Sequence, residues 1–383
     1  MPDAKVAIVL RAIPHYRRRF YEILRDRLDS MNVELALIYG QVGKAGSLKR
    51  DTIDIEWGQR IRNRVFKIGG TELYWQPCLK LLEGVDLVIT TQEAKLLVNY
   101  VLLLQNLLRI RKMAFWGHGR RHARGRANSL GSALKRATSV HVHWWFAYTQ
   151  GSARTVEADG FPADRITVVQ NAIDTRSLIA SRDSVPPDVL ARLRHELGVS
   201  SDNVGIFVGG MYGEKRLDFL LDACRLIKRR VEDFEMIFVG AGPDEDAVRR
   251  AAEQAGWIHK VEPQFDEARV PYFMLSKVVL MPGLVGLVIL DSLALEVPLV
   301  TTDVPFHSPE IEYVDDGVNA VVVRDVNSVE AYASSVEHLL KDSDALESLR
   351  QGCRRTREAY TIEAMVDRFS EGVVRALEYP ARA

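Results

Sequence analysis

The chain has 383 residues, which is too long for one ordinary hydrophobic core, so two domains are expected. Hydrophobic residues make up 47% and charged residues 27% of it, as in a soluble globular protein. The three cysteines (Cys78, Cys224 and Cys353) lie far apart and lack metal-ligand spacing, which excludes a disulfide framework and indicates buried thiols in a reducing cytosol.

The net charge of zero conceals an asymmetry between the two halves of the sequence. Residues 1–170 contain 27 Lys and Arg against 15 Asp and Glu, and subtraction from the totals of 51 leaves 24 against 36 in residues 171–383. A basic half is typical of a protein that meets anionic lipid, nucleic acid or a phosphorylated substrate. A solvated basic surface, attracted to the acidic half, accounts for the same asymmetry, and no nucleic-acid recognition motif is found.

The first half alternates short β-branched runs with amphipathic stretches of helix length. The predicted strands are KVAIVL from Lys5, VELALIYG from Val33, VDLVITT from Val85, KMAFWGH from Lys112, FAYT from Phe146 and RITVVQN from Arg165. In the first predicted helix, HYRRRFYEILRDRLDS, the apolar residues recur on one face at helical spacing, namely Phe20, Ile23, Leu24 and Leu28. This βαβ pattern predicts a parallel sheet covered by helices on both faces.

A change of pattern separates the halves. Residues 174–203 have few strand formers and include the proline-rich segment DSVPPD, after which the alternation resumes with VGIFVGG from Val204. We therefore predict an α/β protein with two tandem Rossmann-like domains facing a cleft. The expected parts are an N-terminal domain over residues 1–175, the linker and lead into the second domain over 176–200, a C-terminal domain over 201–360, and a helix over 361–383 that packs back toward the N-terminal domain.

A glycine turn follows the first strand of the second half, in VGGMYGEKR. Gly209 and Gly210 permit close approach of a ligand to the backbone, and the helix expected from Arg216 offers free N–H groups to an anion. Lys215 adds a positive charge at the same point, so a diphosphate is the expected ligand. An ordinary turn between a strand and a helix explains the glycines equally well, and the Walker spacing is absent.

A second glycine turn, GAGP from Gly240, lacks the third glycine of a dinucleotide fingerprint. The segment that follows it, Asp244 to Asp246, matches the D-x-D pair of metal-dependent sugar transferases. Because it follows Pro243 and opens a helix, we interpret Asp244 as a helix cap and expect neither a metal site nor a cofactor.

An acid, Asp291, lies in an otherwise apolar helix after the strand VVLMPG. Burying a carboxylate without a partner is costly, and the two hydroxyls of a ribose would satisfy both of its oxygens. A partly solvated polar position is the alternative interpretation.

Taken in order, these segments resemble glycosyltransferase family 4. The resemblance rests on VGGMYGEKRLDFLLDA, FVGAGP, SKVVLMPGLVGLVILDSLAL, PEIEYVDDGVNAVVV and, at the domain junction, VVQNAID. The start HYRRRFYEIL and the segment FWGHG resemble a branch found in bacterial polysaccharide assembly. The resemblance covers nearly the whole chain and implies the GT-B fold.

The resemblance also implies a set of donor contacts. Lys215 corresponds to the family lysine that grips the donor diphosphate, and Asp291 to the acid that binds the ribose. The usual arginine is replaced by Gly210, and the first glutamate of the E-x7-E motif by Gly283. The candidates for the remaining contacts to the donor phosphate or sugar are Arg216, Gly283, Leu284, Gly286, His307 and Glu310, and those for the nucleobase are Glu262 and Pro263.

On the N-terminal side, the resemblance places His118 of the WGHG segment at the donor sugar, as the catalytic candidate. A histidine at the carboxyl end of a strand has the chemistry to hydrogen-bond a sugar hydroxyl or the reacting oxygens, although a structural histidine is the alternative. The candidates for acceptor or phosphate contacts are His15, Arg120, Arg121 and Arg124.

The function expected from this resemblance is a retaining, metal-independent glycosyltransferase of bacterial polysaccharide or glycolipid assembly. It would transfer a sugar from a nucleotide-diphosphate sugar to a saccharide or lipid-linked acceptor. The alternatives are a nucleotide-sugar epimerase or phosphorylase on a similar fold, and a non-catalytic nucleotide-sugar binder. The N-terminal apolar segment is too short for a signal peptide and the apolar run from Leu96 is too short to span a bilayer. We therefore expect a cytoplasmic protein, peripheral on an anionic membrane surface.

Overall fold

The computed structural model describes residues 3–43, 52–68, 71–119 and 138–380. The chain divides into two compact units, the first made of Met1–Asn171 with Ile362–Ala383 and the second of Ala172–Thr361. Each unit is built on one large parallel sheet with helices around it.

The elements of the first 171 residues alternate as the sequence predicts. Their strands are β1 Ala4–Leu10, β2 Ile13–Pro14, β3 Val33–Tyr39, β4 Thr52–Ile53, β5 Gln59–Arg60, β6 Arg64–Ile68, β7 Thr71–Trp75, β8 Leu87–Thr91, β9 Lys112–Gly117, β10 Trp144–Ala147 and β11 Ile166–Val168. Their helices are α1 Arg18–Asp29, α2 Val98–Leu107 and α3 Gln150–Ala158. The six strands predicted in this half are confirmed, whereas β2 and β4 to β7 were not predicted.

The rest of the chain continues the alternation. Its strands are β12 Val204–Val208, β13 Glu235–Val239, β14 Ile258–Val261, β15 Val278–Met281, β16 Leu299–Thr302 and β17 Ala320–Val323. Its helices are α4 Thr175–Ser184, α5 Pro187–Leu197, α6 Leu217–Arg230, α7 Glu245–Gln254, α8 Val270–Met274, α9 Val288–Leu295, α10 Val329–Lys341, α11 Ser343–Thr356 and α12 Ile362–Glu378.

Both sheets have the doubly wound order of Rossmann-like domains. The first runs β11-β10-β9-β8-β1-β3-β5 and the second β14-β13-β12-β15-β16-β17, with parallel pairing throughout. In each sheet the direction in which successive strands are added reverses once. The reversal lies between β1 and β8 in the first sheet and between β12 and β15 in the second. Ligands of open α/β sheets bind at such reversal points, outside the carboxyl ends of the strands.

Buried strands and amphipathic helices make the two cores. All five residues of β12, β13 and of the carboxyl half of β1 are buried, as expected for strands covered on both faces. Helix α1 buries Phe20, Leu24 and Leu28 at the predicted spacing, whereas Ile23 on the same predicted face is half-buried. Trp144 and Trp145 on β10 are also fully buried, so they pack in the core of the first unit. The three cysteines are buried and free.

Residues 176–200, expected to be the linker and the lead into the second domain, belong to the second unit and form helices α4 and α5 there. The side chain of Asp174 caps α4 by accepting from the Ser177 N–H at 3.0 Å. Helix α5 has Pro187 in its first turn and ends at Gly198 in the left-handed conformation, a common pairing of start and stop signals. The last helix, α12, packs on α1 in the first unit. Across the described residues, no helix is long and apolar enough to cross a membrane.

Candidate functional site

The strand reversal of the second sheet brings together the two loops that the sequence predicts to hold a donor. The glycine turn at residues 209–216 follows β12, and the loop at 282–287 follows β15. Because β12 and β15 are adjacent and parallel, the two loops leave the same edge of the sheet about 5 Å apart. Helices α6 and α9 begin directly after them, so two helix N-termini lie at this edge.

The glycines of the first loop allow two turns to pack backbone against backbone. Gly209 and Gly240 both have positive φ, 147° and 143°. A Cβ on Gly240 would lie 2.0 Å from the Gly209 carbonyl oxygen, and one on Gly242 would lie 2.2 Å from the Met211 carbonyl oxygen. The GAGP turn thus supports the glycine loop after β12, a role that the sequence alone did not predict.

A glycine is required at position 283 because the backbone of the glycine loop packs directly against it. A Cβ at this position would lie 2.2 Å from the Glu214 carbonyl oxygen and 2.7 Å from the Lys215 Cα. The Leu284 N–H also donates to the Glu214 carbonyl at 2.8 Å. In this backbone arrangement there is no room for the glutamate that the family motif has at position 283.

Lys215 joins the two loops. Its side chain is 6% exposed, and its Nζ donates to the Leu284 carbonyl at 2.6 Å. The ammonium also lies 5.6 Å from the centre of the Tyr212 ring. The predicted diphosphate ligand Lys215 therefore lies at the junction of the glycine loop and the loop after β15, and it holds them together.

Arg216 has structural partners on three segments. Its guanidinium donates to the Val326 carbonyl at 2.6 Å and to Thr302 Oγ1 at 3.3 Å, and it stacks over the Phe219 ring at 4.3 Å. Burial lowers the pKa of this guanidinium from its ordinary value, an effect that Tyr332 opposes. Its left-handed φ of 56° lets the chain turn into α6. Arg216 thus ties the glycine loop to β16 and to the segment after β17, and these contacts compete with the predicted phosphate contact.

His307 fixes the conformation of the loop after β15. Its Nδ1 accepts from the Val285 N–H at 3.0 Å, and its Nε2 lies 2.7 Å from the Thr302 carbonyl oxygen. This pattern requires the neutral tautomer with its hydrogen on Nε2. The Ser308 N–H donates to the Val285 carbonyl, and the Ser308 hydroxyl oxygen lies 3.5 Å from a Cβ placed on Gly286. Glu310, which is itself buried, follows in a short 3₁₀ turn.

Asp291 is 5% exposed and lies in the first turn of α9, but its carboxylate has a protein partner. Arg269 Nη2 lies 2.7 Å from Asp291 Oδ1, and Arg269 is itself only 9% exposed. The argument that this acid needs a ligand because it would otherwise be buried unpaired is therefore wrong. Arg269 was missed because it lies 22 residues upstream, on a different element.

The far end of α9 is held by a second, partly buried acid. Glu296 ends the helix in the left-handed conformation with φ 60°, and its carboxylate pairs with Arg182, Arg354 and Arg357. Burial alone would raise the pKa of Glu296, but hydrogen bonds and charge from Arg354 and Arg182 lower it to about 2. Glu296 therefore stays ionised and anchors α9 across the physiological pH range.

The remaining candidates of the second unit lie farther along the same edge. Glu262 and Pro263 follow β14, two strands away from β12, or about 10 Å in the sheet. Asp244 occupies the cap position of α7 as predicted, although its side chain makes no capping hydrogen bond. Within the part of the chain that the structure describes, no group of three or more His, Cys, Asp or Glu side chains is arranged to hold a metal ion.

The strand reversal of the first sheet contains a cavity of about 260 Å³. Its lining comes from the carboxyl ends of several strands and from the loops after them: Leu10, Arg11, Ala12, Pro14, Tyr16, Arg17, Tyr21, Val42, Thr52, Thr91, Glu93, Trp116 and Tyr148. Arg11 Nη1 lies 3.5 Å from Glu93 Oε2. Arg11, Glu93 and Tyr148 were not predicted from the sequence, although each lies just past the carboxyl end of a strand, where open α/β sheets bind ligands.

His118 lies one residue past β9, at the same edge, and is half-buried. Its ring meets the Tyr148 ring edge-on, with centroids 6.3 Å apart. Gly119 beside it has φ 65°, and a Cβ there would lie 2.7 Å from Val156. His15 is in a short 3₁₀ turn after β2. The other candidates, Arg120, Arg121 and Arg124, lie outside the described residues.

Comparison with known proteins gives matches over part and over nearly all of the chain. Residues 202–342 match the family model described as glycosyl transferases group 1. Alpha-D-kanosaminyltransferase from Streptomyces kanamyceticus is 26% identical over 194 residues, which are 49% of this chain and 49% of that protein, so the match spans about half of each.

Two solved structures match almost end to end. HepE from Anabaena, in complex with UDP-glucose, has a TM-score of 0.72 at 14% identity, over 97% of this chain and 99% of HepE. A glycosyltransferase from Rickettsia africae has a TM-score of 0.71 at 15% identity, over 99% of this chain and 100% of that one. At these identities the likeness concerns the fold, and the predicted pair of Rossmann-like domains is confirmed. The chain therefore has a GT-B-type fold of two Rossmann-like domains, and its residues 202–342 match the model described as glycosyl transferases group 1.

Proposed function

We propose that the protein is a retaining, metal-independent glycosyltransferase. In this proposal it transfers a sugar from a nucleotide-diphosphate sugar to a saccharide or lipid-linked acceptor during bacterial polysaccharide or glycolipid assembly. The match of residues 202–342 and the kanosaminyltransferase relative support sugar transfer. The retaining mechanism, the metal independence and the biosynthetic role follow from the family 4 resemblance of the sequence.

The observation that carries the proposal is the junction at Lys215. An ammonium, two backbone-exposing glycine loops and two helix N-termini converge at the reversal point of the second sheet. Each of these features favours an anion, and a diphosphate is long enough to contact several of them together. The carboxylate of Asp291, oriented by Arg269, lies one turn into α9 and would accept from the ribose hydroxyls.

In this reaction the protein stabilises the charge of the departing diphosphate and positions the reacting groups. The bond from the sugar C1 to the diphosphate oxygen breaks, and a bond from C1 to the acceptor oxygen forms on the same face. The acceptor proton passes to an oxygen of the departing diphosphate. Lys215 and the N-termini of α6 and α9 would stabilise the negative charge that develops there, and His118 would orient the sugar.

Product analysis distinguishes this proposal from its alternatives. The intact protein is incubated with a panel of nucleotide sugars and saccharide or lipid-linked acceptors, and the products are separated. We expect free nucleoside diphosphate and a new glycoside with the anomeric configuration of the donor. An isomerised donor would identify an epimerase, and a sugar phosphate would identify a phosphorylase. Donor binding without turnover over the whole panel would identify a binding protein.

Metal dependence is tested in the same assay. Because Lys215 and the helix N-termini neutralise the charge of the diphosphate in this proposal, we expect turnover to be unchanged by EDTA. A loss of turnover with EDTA that Mg²⁺ or Mn²⁺ restores would show that a metal neutralises the diphosphate instead, and Asp244 to Asp246 would then be the first residues to substitute.

A further inference from the structure

Strands β6 and β7 form a two-stranded hairpin apart from both large sheets. Every residue of β6 is exposed, and among the residues that the structure describes β6 pairs with no strand except β7. Isolated two-stranded hairpins are marginally stable in water, and unpaired strand edges tend to be covered or charged. The hairpin is therefore a candidate contact surface.

One face of this hairpin is apolar. Directly paired residues share a face, and this face consists of Arg64, Phe66, Ile68, Thr71, Leu73 and Trp75. The Phe66 side chain is 47% exposed and Ile68 is 64% exposed, while Leu73 and Trp75 are half-buried. Large apolar side chains that share one exposed face mark an interaction surface, unlike apolar residues scattered singly.

Cations border the apolar face. The sequence from Gln59 to Gly70 contains Arg60, Arg62, Arg64 and Lys67 and no carboxylate. Arg60 is ion-paired with Asp54 at 2.8 Å, and Lys67 lies on the opposite face of the hairpin, directly across from Glu72, so the exposed Arg62 and Arg64 form the cationic border. A tryptophan and aliphatic side chains with a cationic border complement the headgroup region of an anionic bilayer, because aromatic residues favour that region and each Lys or Arg is attracted by anionic lipid.

The hairpin is anchored beside the cavity of the first unit. The hydroxyl of Tyr74 accepts from the Gly43 N–H at 3.1 Å, and the Tyr74 ring lies 5.3 Å from the guanidinium of Arg11. The backbone N–H of Tyr74 donates to the Lys95 carbonyl at 2.8 Å. Arg11 lines the cavity at the strand reversal, so the hairpin and the cavity lie at the same edge of the sheet.

We propose that the β6–β7 hairpin docks on an anionic lipid bilayer through Phe66, Ile68 and the cations around them. This inference rests on the proposed function only in naming the source of the acceptor: docking there presents the cavity edge of the first unit to an acceptor carried by a lipid of the same membrane. A second copy of the chain is a poorer partner, because pairing two β6 edges would bring the cations of both strands together.

A second exposed apolar group provides an internal control. Leu104, Leu107, Leu108 and Ile110 are each more than half exposed at the end of α2. Helix α2 leads from the carboxyl end of β8 back to the start of β9, so this group lies at the opposite, amino-terminal edge of the same sheet.

The experiment measures binding of the full chain to vesicles by sedimentation. Vesicles of phosphatidylcholine with one quarter phosphatidylglycerol are compared with pure phosphatidylcholine, at low and high salt. We expect binding to the anionic vesicles that high salt weakens. The double variant Phe66→Ser with Ile68→Ser should bind at least about tenfold more weakly, and Arg62→Gln with Arg64→Gln about 30-fold more weakly.

The control variant, Leu107→Ser with Leu108→Ser, should bind like the parent. The proposal is overturned if the control loses binding while the hairpin variants keep it, if neutral vesicles bind equally well, or if the hairpin instead supports a dimer that Phe66→Ser with Ile68→Ser dissociates. The Arg62 and Arg64 variant changes only exposed side chains, so it decides the question even if the other variant fails to fold. Vesicle binding does not depend on sugar transfer, so a failure of the proposed function would leave this result unaffected.

Discussion

The Asp291→Asn variant should lose about 3 kcal/mol of unfolding free energy in the absence of ligand. Arg269 and Asp291 are both buried and 2.7 Å apart, so removal of the carboxylate charge leaves a buried guanidinium without its counter-ion. The same substitution should weaken nucleotide-sugar binding at least about tenfold, because the amide cannot accept from both ribose hydroxyls. Denaturant unfolding and donor titration measure the two effects separately.

A double variant separates the structural role of Asp291 from the binding role. Arg269→Met together with Asp291→Asn removes the unpaired charge and should recover most of the lost stability, whereas donor affinity should stay low. If the double variant regains parental donor affinity along with stability, Asp291 is a structural residue only. If the single variant is as stable as the parent protein, the ion pair does not hold α9 as described.

The Lys215→Met variant should bind the donor about tenfold to 100-fold more weakly, the loss expected for one charge-assisted hydrogen bond to phosphate. Methionine keeps the buried stem of the side chain and removes only the ammonium, which donates to the Leu284 carbonyl. The two loops lose one contact, so some loss of stability is expected as well. Donor affinity is therefore measured at a temperature well below the midpoint of thermal unfolding of the variant.

A matched control is available at the other end of β15. Lys277 precedes this strand, and its Nζ donates to Asn203 Oδ1 at 2.8 Å. Lys277→Met removes a comparable hydrogen bond at the amino-terminal edge of the same sheet and should leave donor affinity unchanged. An equal loss of affinity in both variants would indicate a general loss of stability, and parental affinity in folded Lys215→Met would remove Lys215 from the site.

The large features of the fold were predictable because their signals are local. Buried parallel strands are continuous β-branched runs, and the helices between them repeat apolar residues at helical spacing. The turns after β12 and β15 carry glycines at strand ends, so the position of the candidate site at the sheet edge followed from the sequence. The hairpin of β6 and β7 was not predicted, because all five residues of β6 are exposed and show no buried alternation.

The contacts inside the site could not be predicted, because they depend on which backbone segments approach each other. From the sequence alone, Gly283 is only a position where the resembling family has a glutamate. In the structure, a Cβ at this position would collide with the backbone of Glu214 and Lys215. The partner of Asp291 is one of many arginines, and nothing in the sequence marks Arg269 among them. Arg216 illustrates the same limit, since its bonds to Thr302 and Val326 span 86 and 110 residues.

The most direct test of the account is a binding titration of the intact protein with a panel of nucleoside diphosphate sugars. The central claim is that a nucleoside diphosphate occupies the strand reversal of the second unit, between the loops that Lys215 joins. We expect at least one member of the panel to bind saturably, its nucleoside diphosphate to compete, and the nucleoside monophosphate to bind at least about tenfold more weakly because it lacks one of the phosphates held there. Saturable binding by no member of the panel, or equal binding of monophosphate and diphosphate, would contradict the account.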